Sequence, residues 1–369
     1  TTKALAKAFL EVCRYQLEFL RRRSKRHKGC TGATKAAPQT PGVDVHADLY
    51  VNSVSYRILR DALKTGATDL LRLKCREFTA WSIPPSKIVT LLESLDPSCL
   101  RRVDLPFKNL GLSGLSVILP HLSRFPELRS LRLGNSSVYL RDLTPLLANR
   151  IPCVSRQLGM LPNLRELDLG YLRFSGNLRH ILGDLQAPLE SLELASCSLV
   201  PDDLAFLSQS IHAPALKRLG LSGHDFSQGL LEPLRLLLEE TSASLLYLDL
   251  LGCGMADSHL EALLPTLRRC SRLRYLSLHG NSLSMAALKG LLQKTLELPD
   301  LKLVVYPRPM DCYRLEPWEF GQGFRKVLHE ELLAAATAEI SQLLENSGRT
   351  DIVWTDNPWR HEAPDYFSL

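Results

Sequence analysis

Leu245-Leu246-Tyr247-Leu248-Asp249-Leu250-Leu251-Gly252-Cys253-Gly254-Met255 and, 28 residues on, Leu273-Arg274-Tyr275-Leu276-Ser277-Leu278-His279-Gly280-Asn281-Ser282-Leu283 are two copies of one pattern, LxxLxLxx(N/C)xL. Self-similarity at a period of 20–30 residues is the mark of a repeat protein and governs every later reading. Moving toward the N-terminus, further copies are Leu216, Leu219, Leu221, Phe226; Leu189, Leu192, Leu194, Cys197, Leu199; Leu164, Leu167, Leu169, Phe174; Leu128, Leu131, Leu133, Val138; and Leu100, Val103, Leu105, Leu110. Weaker copies stand at the two ends, as Leu71, Leu73, Phe78 and as Leu301, Val304, Tyr306. The starts at 100, 128, 164, 189, 216, 245, 273 and 301 are spaced by 28, 36, 25, 27, 29, 28 and 28. The one long step places an insertion between Gly134 and Pro162, most naturally at residues 139–151.

The LxL core puts alternate side chains on one side of a short strand, so its leucines point inward and the residues between them point out. The second half of each unit changes period. Leu112, Leu115, Ile118, Leu119 and Leu122 recur at three and four, as do Leu260, Leu263, Leu264 and Leu267, which is helical spacing. Each unit is therefore a strand and a helix. A single unit cannot offset its own chain entropy, so stability resides in stacking. The expected fold is an α/β leucine-rich repeat solenoid of about nine units, with a parallel inner sheet and outer helices that curve it into a horseshoe. The Asn/Cys position, normally a side chain that bonds the turn backbone, is occupied by Lys108, Ser136, Leu172, Cys197, His224, Cys253 and Asn281. Cys197, Cys253 and Asn281 follow the rule.

Two domains are expected: a basic helix with a flexible linker over residues 1–42, and the solenoid over 43–369. The solenoid has an N-terminal cap at 43–66 and a C-terminal cap at 306–369. Leu5, Phe9, Val12, Tyr15 and Phe19 have helical spacing, and the basic run RRRSKRHK extends from Arg21 to Lys28. In the caps, residues 43–51 read as a strand and 56–63 as a helix. Phe324, Leu328, Leu332, Ala335, Leu343 and Leu344 read as one long helix stopped at Asn346-Ser347-Gly348, and 351–355 as a strand. Trp354, Trp359, Tyr366 and Phe367 have the character of cap residues. The chain starts at Thr1 and reads as mid-helix, so further sequence is expected upstream.

The 369 residues carry a net charge of +6, but residues 1–42 hold ten Lys/Arg against two acids, leaving the rest at −2. The basic pI thus describes a tail and does not make the body a nucleic-acid binder. The basic run has the composition of a nuclear import signal or of the solvated end of a helix. No aromatic residue interleaves it, so nucleic acid is not an expected partner. No run of about 18 apolar residues is present, so no membrane partner is expected. The nine cysteines lack CxxC spacing, which fits reduced thiols in the cytoplasm or nucleus. Asn135-Ser136-Ser137 is a formal glycosylation sequon without a secretory signal to use it. GxSxG, HExxH, Walker A and dinucleotide glycine motifs are absent; Gly321-Gln322-Gly323 lacks their spacing. Neither catalysis, a cofactor nor a metal is expected.

The outward strand positions remain. Arg72, Lys74, Arg102 and Arg132, with Asp104 among them, precede Glu166, Asp168 and Glu193; then come Arg218, Tyr247, Asp249, Tyr275 and His279. A face that runs from basic to acidic to aromatic suits a protein partner, and it is equally the pattern of a solvated strand ladder. The candidate binding residues are Arg102, Arg132, Glu166, Asp168, Glu193, Arg218, Tyr247, Asp249, Tyr275 and His279.

Several strings exceed the generic repeat. Leu100-Arg101-Arg102-Val103-Asp104-Leu105, Asn109-Leu110-Gly111-Leu112, Gly114-Leu115-Ser116-Val117-Ile118, Pro188-Leu189-Glu190-Ser191-Leu192-Glu193-Leu194, Tyr306-Pro307 with Pro309, and Gly348-Arg349 with Val353-Trp354 resemble the PRAME-like leucine-rich repeat family. Asp311-Cys312-Tyr313 and the ending Asp365-Tyr366-Phe367-Ser368-Leu369 resemble one branch of it. The resemblance covers about residues 43–369; the basic run and residues 134–162 depart from it. For that branch it implies a non-enzymatic cytoplasmic protein that restrains Toll-like receptor signalling to NF-κB. It would do so by binding the beta subunit of the IκB kinase and impairing assembly of the kinase complex. For the wider family it implies substrate receptors of cullin 2 ubiquitin ligases, whose elongin-binding segment lies upstream of anything in this chain.

Overall fold

A computed structural model of the chain describes residues 2–27, 43–65, 71–105, 110–134, 151–172, 174–317 and 323–357. Eleven parallel strands carry the repeats, and the chain falls into two compact units. The first holds residues 1–138, 144–166 and 180–186, the second 139–143, 167–179 and 187–369.

In the first unit, strands Leu49–Val51, Glu77–Ala80, Arg102–Asp104 and Ser130–Arg132 pair side by side, with Phe78, Val103 and Leu131 in register and buried. Helices Pro85–Ser94, Gly111–Leu122 and Ile151–Gly159 pack in succession. Proline opens the first of them, where its missing N–H costs nothing. Two features differ from the sequence expectation. Residues 43–51 form two strands, not one, and Val43–His46 leaves the main sheet to pair with Leu71–Lys74. Consequently the first repeat copy is split. Phe78 supplies the inward side chain of the main sheet, while Leu71 and Leu73 belong to the small one.

The N-terminal helix, Thr2–His27, packs on the helix Tyr56–Thr65. Its buried stripe is Ala6, Phe9 and Cys13, whereas Val12 and Tyr15 are exposed. The stripe keeps Phe9 but takes the small Ala6 and Cys13 in place of Val12 and Tyr15. The Thr2 hydroxyl accepts a hydrogen bond of 2.8 Å from the amide of Tyr50 in the outermost strand, shielding an otherwise bare sheet edge. The first half of this helix is thus packed cap, not loosely attached tail.

In the second unit, strands Ser191–Glu193, Arg218–Gly220, Tyr247–Asp249, Tyr275–Ser277, Leu303–Val305 and Val353–Thr355 follow chain order. Leu192, Leu219, Leu248, Leu276 and Val304 align across them and have no exposed surface. Helices Pro201–Ser208, Leu231–Thr241, Asp257–Leu267 and Met285–Thr295 pack in succession.

The turn position couples each unit to the one before it. Cys197 Sγ donates to the carbonyl of Leu169 at 3.1 Å, and Cys253 Sγ to that of Leu221 at 3.3 Å. Burial pushes the Cys253 thiol up to about 12 and raises the Cys197 thiol well above its ordinary value, so both remain donors. Asn281 makes four bonds, the full capacity of its amide. It accepts from the amides of Cys253 and Met255 and donates to the carbonyls of Leu250 and Leu278. His224, which does not fit the Asn/Cys rule, does the same work. Its Nε2 lies 2.8 Å from the carbonyl of Leu194, and burial lowers its pKa, holding the ring neutral. The four carbonyls bonded this way come from the same leucine of the pattern.

The C-terminal cap departs from expectation at one point. Phe324–Leu328 is a strand, antiparallel to Tyr313–Pro317, and the helix begins only at Glu330 and ends at Ser347. Gly348 closes it with φ of 71°, a left-handed conformation that glycine adopts without a Cβ penalty. Arg349 then donates to the carbonyls of Leu296, Leu298 and Leu301, tying the last strand to the preceding turn. The linker ending at Gly42, the turn positions Lys108 and Ser136, the sequon at Asn135, and most of the insertion site (139–150) lie outside the described residues. So do Gly321 and Gln322, Trp359, and the tail with Tyr366 and Phe367; of the basic run, so do Lys28 and the side chains up to His27.

The ladder yields a test. Asn281→Ala leaves two amides and two carbonyls without partners in the interior and lowers stability by about 2–4 kcal/mol in urea unfolding. Cys253→Ala loses the weak bond its thiol shares between the carbonyls of Leu221 and Leu251 and costs about 1 kcal/mol. Equal losses in the two variants would show that the ladder does not carry this energy.

Candidate functional site

Strand register places the outward residues in rows. In the first unit one row holds Glu77, Arg102 and Ser130, the other Thr79, Asp104 and Arg132. The Arg102 guanidinium lies between two carboxylates, Glu77 at 3.3 Å and Glu166 at 3.7 Å. Arg132 is exposed. Arg72 and Lys74, read from sequence as the start of a basic face, are on the small sheet instead. There they pair with Asp44 and Asp96. The positions they were expected to fill hold Glu77 and Thr79, so the basic opening of the face is largely neutralised.

The second unit holds the more ordered group. Glu193 lies opposite Gly220 in the ladder, and its carboxylate occupies the space a side chain there would take. A Cβ on Gly220 would stand 1.6 Å from Glu193 Oε2. In that slot Glu193 accepts a hydrogen bond of 2.6 Å from Arg218 Nε. The Arg218 guanidinium sits 3.8 Å from the centroid of the Tyr247 ring, and the Tyr247 ring stacks on that of Tyr275 at 4.2 Å and 2°. An ion pair, a cation–π contact and an aromatic stack thus run in one line across four strands. Gly220 makes this possible and sequence reasoning passed over it. Its signal is that Asp104, Arg132, Asp168, Glu193, Asp249 and Ser277 all put a side chain at the equivalent place, and Gly220 does not.

Tyr247 and Tyr275 are not exposed, as the sequence reading of outward positions expected. Together with Leu303 and Val305 they form a buried apolar cluster on this side of the sheet. Flat stacking lets each ring shield the next, and Arg218 covers the end. What this unit presents to solvent is therefore polar: Asp168, Glu193, Arg218, Asp249 and His279 are all half-buried. Asp168 accepts from the amide of Gly170, and Asp249 accepts from the amide of Leu251 and the hydroxyl of Ser222. These bonds hold both carboxylates at fixed angles. Burial drives the Glu193 carboxyl upward against the pull of Arg218, with Asp168 and Asp249 adding to the rise, and it reaches about 7. Among the described residues, no cluster of three His, Cys, Asp or Glu could hold a metal, and no helix is long and apolar enough to cross a membrane.

Comparison with known proteins places this arrangement. The PRAME C-terminal domain matches residues 53–367. Leucine-rich repeat-containing protein 14 of Xenopus laevis is 44% identical over 371 aligned residues, covering 100% of this chain and 73% of the frog protein. The human protein of the same name is 46% identical over 92% of this chain and 69% of its own length. Among solved structures, the leucine-rich repeat-containing protein LegL7 from Legionella pneumophila aligns with 83% of this chain and 91% of its own at 15% identity and a TM-score of 0.44.

The Glu193 slot has a pH signature. Its folded pKa of about 7 exceeds the ordinary 4.5, so between those values the folded chain binds more protons than the unfolded one. The stability Glu193 contributes is complete below the ordinary value and is lost as pH rises through about 7. Urea midpoints of the native chain should fall relative to those of Glu193→Gln between about pH 5 and about pH 8. In Gly220→Ala the added methyl evicts the carboxylate and this difference disappears. A difference that stays flat with pH in the native chain contradicts the buried slot.

Proposed function

Since the chain belongs to the PRAME family, through the C-terminal domain that spans its residues 53–367, we propose that it is a non-enzymatic scaffold that binds another protein with the outward side of its repeat strands. The observation that carries this reading is the Glu193–Arg218–Tyr247–Tyr275 line. Charged groups held in place before a partner arrives lose little freedom on binding, and such groups steer encounter and fix register. The finer reading is that the partner is the beta subunit of the IκB kinase. Binding it would impair assembly of the kinase complex and restrain Toll-like receptor signalling to NF-κB, in the cytoplasm. This reading draws its support from the likeness to leucine-rich repeat-containing protein 14 over most of the chain. The acids Asp168, Glu193 and Asp249 suit a basic surface on the partner.

Binding of the purified chain to the purified kinase beta subunit tests it. Asp168→Asn with Asp249→Asn keeps the oxygens that accept the turn bonds but removes two negative charges. The pair should weaken binding about tenfold at low ionic strength, and less at high salt. No binding by the native chain, with normal NF-κB activation in cells that lack it, rules the kinase out. Recovery of elongin and cullin 2 in its place would support the ubiquitin-ligase reading of the family.

A further inference from the structure

At the C-terminal end of the second unit lies a cavity of about 620 Å³ that shares only His279 with the strand-face candidates. Its wall includes His279, Arg308, Tyr313, Lys326 and Asp356. Arg308 is matched by Asp356 at 3.1 Å. Lys326 has no carboxylate partner among the described residues, and the Nδ1 of His279 is buried with no hydrogen-bond partner among them. Among the described residues the wall therefore carries a positive charge without a counter-charge. The Lys326 charge does not suit an apolar ligand and does suit an anionic oxygen.

The antiparallel pair Tyr313–Pro317 and Phe324–Leu328 extends this wall. Its register sets Leu315 directly opposite Lys326 and Pro317 opposite Phe324. Opposed residues share a face, and so do residues two apart on one strand. Tyr313 and Lys326, which line the cavity, therefore point to the same side as Leu315 and Phe324. Leu315 and Phe324 are 65% and 69% exposed, among the most exposed large apolar side chains described. The other face carries Arg314 and Arg325 against Glu316, so the pair as a whole is basic.

We propose that this cavity and the strand face beside it form a second docking site, for an acidic and apolar peptide segment of a partner protein. A carboxylate of the segment sits in the cavity against Lys326. A large apolar side chain next to it covers Leu315 and Phe324. Charge complementarity selects the segment, and the two apolar residues give it area to bury. The site is separate from the strand face of Asp168 and Asp249, and it does not depend on the identity of the partner bound there.

Selection of random phage-displayed peptides on the intact chain tests the proposal. Enriched sequences should place Asp or Glu beside Leu, Phe or Trp. A labelled peptide made from them should bind about tenfold more weakly to Lys326→Glu and to Phe324→Ser, and more weakly as salt rises. Both substitutions lie at exposed positions, and circular dichroism would verify their folding. Asp168→Asn with Asp249→Asn should leave the peptide's affinity unchanged. Loss of kinase binding in that variant with peptide capture intact would therefore bear on the strand face alone. No enrichment, enrichment of sequences without acids, or binding to both variants as tight as to the native chain would overturn the second site.

Discussion

One carbonyl in each repeat governs the second unit. The last leucine of each LxL strand, at 169, 194, 221 and 250, ends its strand with an oxygen that the ladder leaves over. Turn amides reach two of these oxygens, that of Leu172 at Leu169 and that of Cys197 at Leu194, and at all four a side chain one repeat later bonds as well: a thiol, an imidazole, a thiol, an amide. This bond sets the offset between neighbouring units to one full repeat. With the offset set, every inward leucine meets an inward leucine, and every outward residue meets its counterpart. The row from Glu193 through Gly220 to Asp249 and Ser277 is a consequence of that register.

The register also explains why charge on the outward side is compensated sideways. Neighbouring strands in a sheet lie about 4.8 Å apart, so unlike charges on adjacent strands reach each other easily. Arg218 reaches Glu193 and Arg102 reaches Glu77 across one strand spacing. A face that reads in one dimension as basic and then acidic becomes, in two dimensions, a set of local pairs. Such pairs hold their side chains still. Recognition by this face therefore rests on fixed geometry together with charge complementarity.

The repeat from Leu100 onward is legible in the sequence, because LxL and the three-and-four helical spacing are local patterns that the stacking merely completes. What sequence could not show were events decided by packing. Leu71 and Leu73 fit the strand pattern as well as Phe78 does, and only pairing with Val43–His46 removes them from the main sheet. Phe324 and Leu328 fit a helical period, but they also alternate. The partner strand Tyr313–Pro317 settles the matter in favour of β structure. Ala6 and Cys13 were hidden by their size, since the eye follows Val12 and Tyr15, which the structure exposes. Of the candidate residues, the charged ones do lie on the outward side. Tyr247 and Tyr275 lie there too but are buried, because two aromatic rings at matching positions of adjacent units stack.

Gly220 shows where the freedom of such a fold lies. Inward positions are bound by their neighbours on both sides, so each unit must repeat the choice of the last. Outward positions carry no such condition, and a residue may be absent there without harm to the core. At Gly220 the absence is what creates the slot: it admits the Glu193 carboxylate, brings it to Arg218, and turns a row of separate side chains into a connected one. The same reasoning makes the mismatch informative in general. Within an array whose inward side is uniform, a single small residue on the outward side marks the place where a neighbour's functional group has been given room, and it is there that a search for the binding surface should start.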